Sequence, residues 1–168
     1  STTVLHGRPA DVLVERSIET GADLVVCGSR GHGRLRSSVF GSVARQVTER
    51  TSCPVLVARR GHANRVLLAS DGSDPSLVAE QLVMGWPAFA DVPVDLVRVT
   101  DTSFGHLPIG AAALDGELRA LHLTRGKLRA SGRPAHEVLL LGDPAAQILG
   151  EASRSGADLI VIGTHDRT

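Results

Sequence analysis

The sequence predicts an α/β fold, with parallel strands joined by helices that pack on both faces of a sheet. Three observations carry that prediction. Short apolar runs such as Leu24-Val25-Val26-Cys27, Val55-Leu56-Val57 and Leu159-Ile160-Val161-Ile162 read as buried parallel strands. Stretches of helical length lie between such runs, and two of them open on a proline and close on a glycine (Pro9 to Gly21, Pro144 to Gly156), the ends those residues favour. Finally, the chain repeats itself. Gly7 to Gly31 aligns without a gap on Gly142 to Asp166, an offset of 135 residues, and nine of the 25 positions are identical. Helix, Gly-Ala-Asp turn and strand therefore occur twice in the same order.

Taken in order, the pattern predicts a short strand near Thr3 to His6 and a helix from Pro9 to about Thr20. A strand at Asp23 to Cys27 empties into a glycine-rich loop, and a helix from Ser42 to Arg50 leads to a strand at Pro54 to Ala58. Arg59 to Asn64 is a polar connection and the expected domain boundary. A second series opens with a strand at Arg65 to Ala69, the turn Ser70-Asp71-Gly72-Ser73 and a helix from Asp74 to Met84. A strand at Val94 to Val99, a loop to Gly110 and a long helix to Ala130 follow. A strand at His136 to Leu141, a helix from Pro144 to Ser155 and a strand at Leu159 to Ile162 complete the series. Strands alternating with helices require a parallel sheet with right-handed crossovers.

A length of 168 residues alone suggests one domain, yet a period of 135 residues is itself a domain length, too long for a solenoid. The chain is therefore expected to be a window on a longer tandem protein, an expectation its opening on Ser1 also suggests. Residues 1–60 read as the late part of one domain, 61–64 as a linker, and 65–168 as the early part of the next. The net charge is zero, which gives no support to a nucleic-acid or membrane partner. Cys27 and Cys53 sit in apolar runs and show no metal-ligand or Cys-x-x-Cys spacing. No stretch is long enough to span a bilayer and no signal peptide opens the chain, so a reducing, cytoplasmic setting is expected.

The chemistry concentrates in Gly28 to Ser42, which reads GSRGHGRLRSSVFGS. Glycines let a backbone approach an anion closely, and the N–H groups and dipole of the following helix attract its charge. Arg30, His32, Arg34 and Arg36 lie in the same stretch. Residues 28–60 hold seven arginines against Glu49 alone, which points to a phosphate-bearing ligand or to solvated helix and loop faces. The spacing is not that of a Walker A loop, since the only lysine is Lys127, and Gly28, Gly31 and Gly33 have the wrong gaps for a dinucleotide fingerprint.

The residues do match Gly-x2-Gly-x9-Gly-Ser, through Gly28, Gly31, Gly41 and Ser42. On a strand-loop-helix, this resembles the ATP-binding branch of the universal stress protein family. The run Thr51-Ser52-Cys53-Pro54-Val55-Leu56-Val57 resembles that family's last strand, and Ser70-Asp71-Gly72-Ser73 resembles the turn after its first. The resemblance implies a Rossmann-like sheet of the adenine nucleotide alpha hydrolase type, here incomplete or permuted. It also implies ATP as ligand, with the phosphates on the loop of Gly28, Gly31, Gly33, Gly41 and Ser42. Asp71 would contact the adenine–ribose end and Val99 the adenine. Ser42 would cap its helix and give a hydroxyl to phosphate, sharing a divalent cation such as Mg2+. Asp71 and Ser73 equally fit a plain turn and helix cap, and Val99 fits ordinary core. Pairing through Val55 to Val57, as a homodimer or between domains, is the partner contact the family implies.

In the second copy of the loop, Asp166 stands where the second glycine belongs, which predicts that this copy does not hold phosphate. Two arrangements are open: a single permuted domain that brings Asp71 and Val99 to Gly28–Ser42, or two partial lobes. Three functions follow: a regulatory nucleotide-binding protein, a nucleotide-hydrolysing or adenylyl-transferring enzyme using His32 or Asp71, and an interaction module without nucleotide.

Overall fold

The computed structural model describes residues 2–29, 41–59, 61–101 and 110–164. The chain divides into two compact units, Ser1–Gly61 and His62–Thr168. The first unit runs α1 (Pro9–Glu19), β1 (Val25–Gly28), α2 (Ser42–Arg50) and β2 (Val55–Ala58). Strands β1 and β2 pair in parallel, Val25 on Val55 through Gly28 on Ala58. Alternation along the strands sends Val25, Cys27, Val55 and Val57 to one face, where they pack with Ala10 of α1 and Ala44 and Val47 of α2. Both helices thus cover the same face of this small sheet. Burial pushes the Cys27 thiol pKa up, as for an inert core cysteine.

The second unit runs β3 (Val66–Ala69), α3 (Asp74–Gly85), a 3-10 turn (Pro87–Phe89), β4 (Val94–Thr100), α4 (Ala111–Ala130), β5 (Ala135–Leu141), α5 (Pro144–Ser155) and β6 (Leu159–Ile162). The strands form one parallel sheet in the order β5-β4-β3-β6. On one face Val66, Leu68, Val94 and Leu96 pack against Ala79 and Val83 of α3 and Leu121 and Leu128 of α4. On the other, Leu67 and Val97 pack with Ile148 and Ala152 of α5. The 3-10 turn, which the sequence pattern does not announce, carries the buried Phe89, and Trp86 meets its ring edge-on at 5.1 Å. Asp158 ties the starts of β3 and β6 by accepting the N–H groups of Asn64 and Arg65 at 3.0 and 3.2 Å.

Two expectations are corrected. The predicted strand at Thr3 to His6 does not form: residues 2–6 are exposed and unpaired, with Val4 at 82%. Its counterpart in the repeat is β5, which forms because it pairs with β4. The single permuted sheet does not form either. The slot beside β3 is filled by β6, Val66 on Leu159, while β1 and β2 make their own sheet.

The repeat also explains which faces are bare. Cys27, covered in the cluster with α2, corresponds to Ile162, which is 53% exposed. Val161 packs into the α3 side of its sheet; its counterpart Val26 is 59% exposed. Each unit bares the face that the other covers.

Candidate nucleotide site

In the first unit the backbone forms an open strand-to-helix crossover. Ser29 continues the ladder by donating its N–H to the Ala58 carbonyl at 3.0 Å, and Gly41 donates to the Ser29 carbonyl at 3.1 Å. Ser29 and Gly41 are thus hydrogen-bonded to each other beside the carboxyl ends of β1 and β2. Gly41, with extended backbone, is the N-cap of α2, and its carbonyl accepts the Arg45 N–H at 3.0 Å. Ser42 is the first helical residue rather than the cap expected for it, because the turn to helical geometry comes after Gly41. Among the described residues no side chain caps α2, and its first turn holds no acidic residue. A helix start with such free N–H groups is an arrangement that binds anions. Gly28 ends β1. Gly31 and Gly33, with Arg30, His32, Arg34 and Arg36, lie outside the described residues.

In the second unit the strand order reverses at β3: the chain steps to β4 and β5 on one side and returns with β6 on the other. Ligands of open α/β sheets bind at the carboxyl ends of the strands at such a switch point. Asp71 follows β3 and Gly163 follows β6. A Cβ at Gly163 would overlap the backbone of Pro75 and Ser76, so only glycine lets this strand end press against the start of α3. Val99 lies on the α5 face with the core around Leu67 and Val97. From His165 on, Asp166 included, the second loop lies outside the described residues.

Side chains fill the start of α3. The Asp71 carboxylate accepts the N–H of Ser73 at 2.9 Å and its hydroxyl at 2.5 Å. The Ser73 hydroxyl, with support from backbone N–H groups, holds Asp71 below its ordinary pKa of 3.8. That disfavours Asp71 as a base near neutral pH. Ser76 accepts the Gly72 N–H at 3.0 Å. Beneath this turn lies a buried polar group that the sequence reading missed. Glu80 (2% exposed) accepts the Ser70 hydroxyl at 2.5 Å. Arg98 (9% exposed) donates to the Ser70 carbonyl at 3.1 Å and pairs with Glu117 at 2.9 Å. Ser70, Gly72, Glu80, Arg98 and Thr124 line one side of a cavity of about 180 Å3 between α3 and α4. The signal was available: Arg98 occupies the inward position that Val94 and Leu96 occupy earlier in the same strand.

A sequence profile of the universal stress protein family matches residues 1–59 and 62–168. The chain belongs to that family. Universal stress protein Rv2005c of Mycobacterium tuberculosis is 29% identical over 176 residues, covering 98% of this chain and 58% of its own length. A universal stress protein of Thermus aquaticus is 41% identical over 56 residues, 33% of this chain and 41% of its own. The crystal structure of a universal stress protein from Archaeoglobus fulgidus superposes with a TM-score of 0.71 at 19% identity, over 96% of this chain and 56% of that one, a likeness of fold. The chain spans less than two thirds of the curated relatives' length, 58% of Rv2005c and 34% of the stress response protein NhaX of Bacillus subtilis. The α/β fold with a parallel sheet is that of the family. No helix among the described residues is long and apolar enough to cross a membrane.

Proposed function

We propose that this universal stress chain belongs to an adenine-nucleotide-binding, regulatory member of its family, with ATP as ligand. The observation that carries the proposal is the uncapped start of α2 behind Gly41, beside the carboxyl ends of two parallel strands. The phosphates would lie on the N–H groups there and on Gly28, Gly31 and Gly33, with the Ser42 hydroxyl as a further donor and Mg2+ as counter-ion. Asp71 and Val99 would serve the base and ribose in the second unit. Residues 1–60 and 65–168 are then the late and early parts of two successive universal stress domains, each contributing half of a nucleotide site. The repeat and the reciprocal bare faces support this division. The outer edge of β2, unpaired among the described residues, is the proposed contact with a second domain or copy.

The proposal is tested by titrating the protein with ATP calorimetrically, alongside Ser42→Asp. Saturable binding, weakened at least tenfold by the carboxylate placed at the helix start, is expected. No binding, or equal binding by the variant, would refute the phosphate reading. Phosphate release above background, abolished by the same variant, would favour the enzyme reading instead.

A further inference from the structure

We propose that Arg98 is the positioning residue of Asp71, clamping the Ser70–Ser73 turn so that its carboxylate is fixed for the base–ribose end of a nucleotide. The inference rests on the nucleotide reading of the second unit and adds to it a residue that the family pattern did not supply.

Three arms of one guanidinium make the case. Nε donates to the Ser70 carbonyl at 3.1 Å, Nη1 pairs with Glu117 Oε2 on α4 at 2.9 Å, and Nη2 fills the space beside Gly72. Gly72 has φ +83°, a conformation that favours glycine, and a Cβ there would meet Nη2 at 2.5 Å, so a side chain at 72 would push the guanidinium from its place. Ser70 is gripped a second time, through its hydroxyl, by the buried Glu80 at 2.5 Å. The residue next along is Asp71, whose carboxylate completes the turn on Ser73. A core position does not call for this group. Burying a guanidinium costs solvation and side-chain entropy, and an aliphatic residue there would match Val94 and Leu96 on the same face. What Arg98 adds is an orientation of the β3 turn, tied through Glu117 to α4.

The test compares the protein with Arg98→Met, Arg98→Lys and Glu117→Gln. The first readout needs no ligand: the Asp71 carboxyl is titrated by carbon-13 NMR. Arg98→Met should move its titration back toward the ordinary value, as the turn that brings Ser73 onto it loosens. Arg98→Lys should do so partly, and Glu117→Gln, at a half-exposed residue, least. An unchanged titration in a folded Arg98→Met protein overturns the clamp. The second readout is ATP affinity, expected to fall about tenfold in Arg98→Met and to recover in part with lysine. A core variant of matched melting temperature, Leu128→Ala, should leave affinity unchanged. Asp71 released while ATP affinity holds overturns the positioning role. Failure of the unaltered protein to bind ATP is a different failure, that of the nucleotide reading, and it too removes the positioning role, while the titration still decides the clamp.

Discussion

The starts of α2 and α3 occupy equivalent places, each after a parallel strand, yet they differ in charge and in the turn that leads into them. At α2 the cap is a glycine, the first turn carries no acid, and no side chain among the described residues caps the helix. At α3 the N-cap Ser73 side chain makes no cap bond either, but Asp71 and Ser76 take up the N–H groups of Ser73 and Gly72 in the turn before it, and Asp74 stands in the first turn of the helix. The difference teaches where an incoming anion can find donors. A helix start that carries Asp71 in the turn before it and Asp74 in its first turn already holds negative charge, which disfavours a phosphate. One left bare depends on water or a ligand. On the proposed reading, the first unit takes the phosphates and the second a group that hydrogen-bonds an aspartate.

The largest expected effect comes from closing the space at the second start. Gly163→Ala drives a Cβ into the backbone of Pro75 and Ser76, which cannot rotate away, and should destabilise the second unit by about 1–3 kcal/mol in urea unfolding. Among the described residues, the Cβ of Gly41→Ala meets the Ser29 carbonyl at 3.2 Å, and the change should cost less. Equal losses would break the contrast between a tight and an open crossover.

Next in size is the turn itself. Asp71→Ala removes the acceptor for Ser73 and should cost about 1 kcal/mol, as loss of a helix-start acceptor typically does. The sign with pH follows from the lowered folded pKa. The stabilisation is fully present above the unfolded value near 3.8 and is lost as pH falls through the lower folded value. Asp71→Asn should therefore make acid unfolding below about pH 4 shallower. Asp11 and Asp158, also lowered, keep part of that dependence: the Arg50 guanidinium acts on the first, and N–H groups of Asn64 and Arg65 outweigh burial at the second. An identical acid limb in Asp71→Asn would show that the α3 turn is not held by charge.

The smallest effect on stability has the sharpest meaning. Ser42→Asp, which should weaken ATP binding, supplies α2 with the negative charge it lacks and should stabilise the first unit by about 0.3–1 kcal/mol. Stability and ligand affinity should move in opposite directions. Destabilisation would mean that the helix start is not bare.

Much of this was legible in the sequence, for physical reasons. Runs such as Val66 to Leu68 announce strands because both faces of a parallel sheet are buried, and Pro9 and Pro144 mark helix starts because their fixed φ suits the first turn. Thr3 to His6 misled because a strand exists only with a partner, and propensity carries no record of one. The helix from Ser42 formed as predicted, but the cap role expected of Ser42 fell to Gly41, because glycine can also cap a helix. Spacing pointed to Gly28 and Gly41, and the family resemblance to Asp71, but neither pointed to the group beneath Asp71. Arg98, Glu80 and Glu117 are brought together from β4, α3 and α4, and only the fold makes them neighbours.

The most direct test of the account follows the backbone amides of both helix starts by nitrogen-15 NMR while ATP, and separately inorganic triphosphate, is added. The account predicts saturable shifts at Ser42, Val43 and Ala44 with either ligand, and none at Asp74, Ser76 and Leu77 with triphosphate alone. Silent amides at the start of α2, or triphosphate shifts confined to α3, would contradict it.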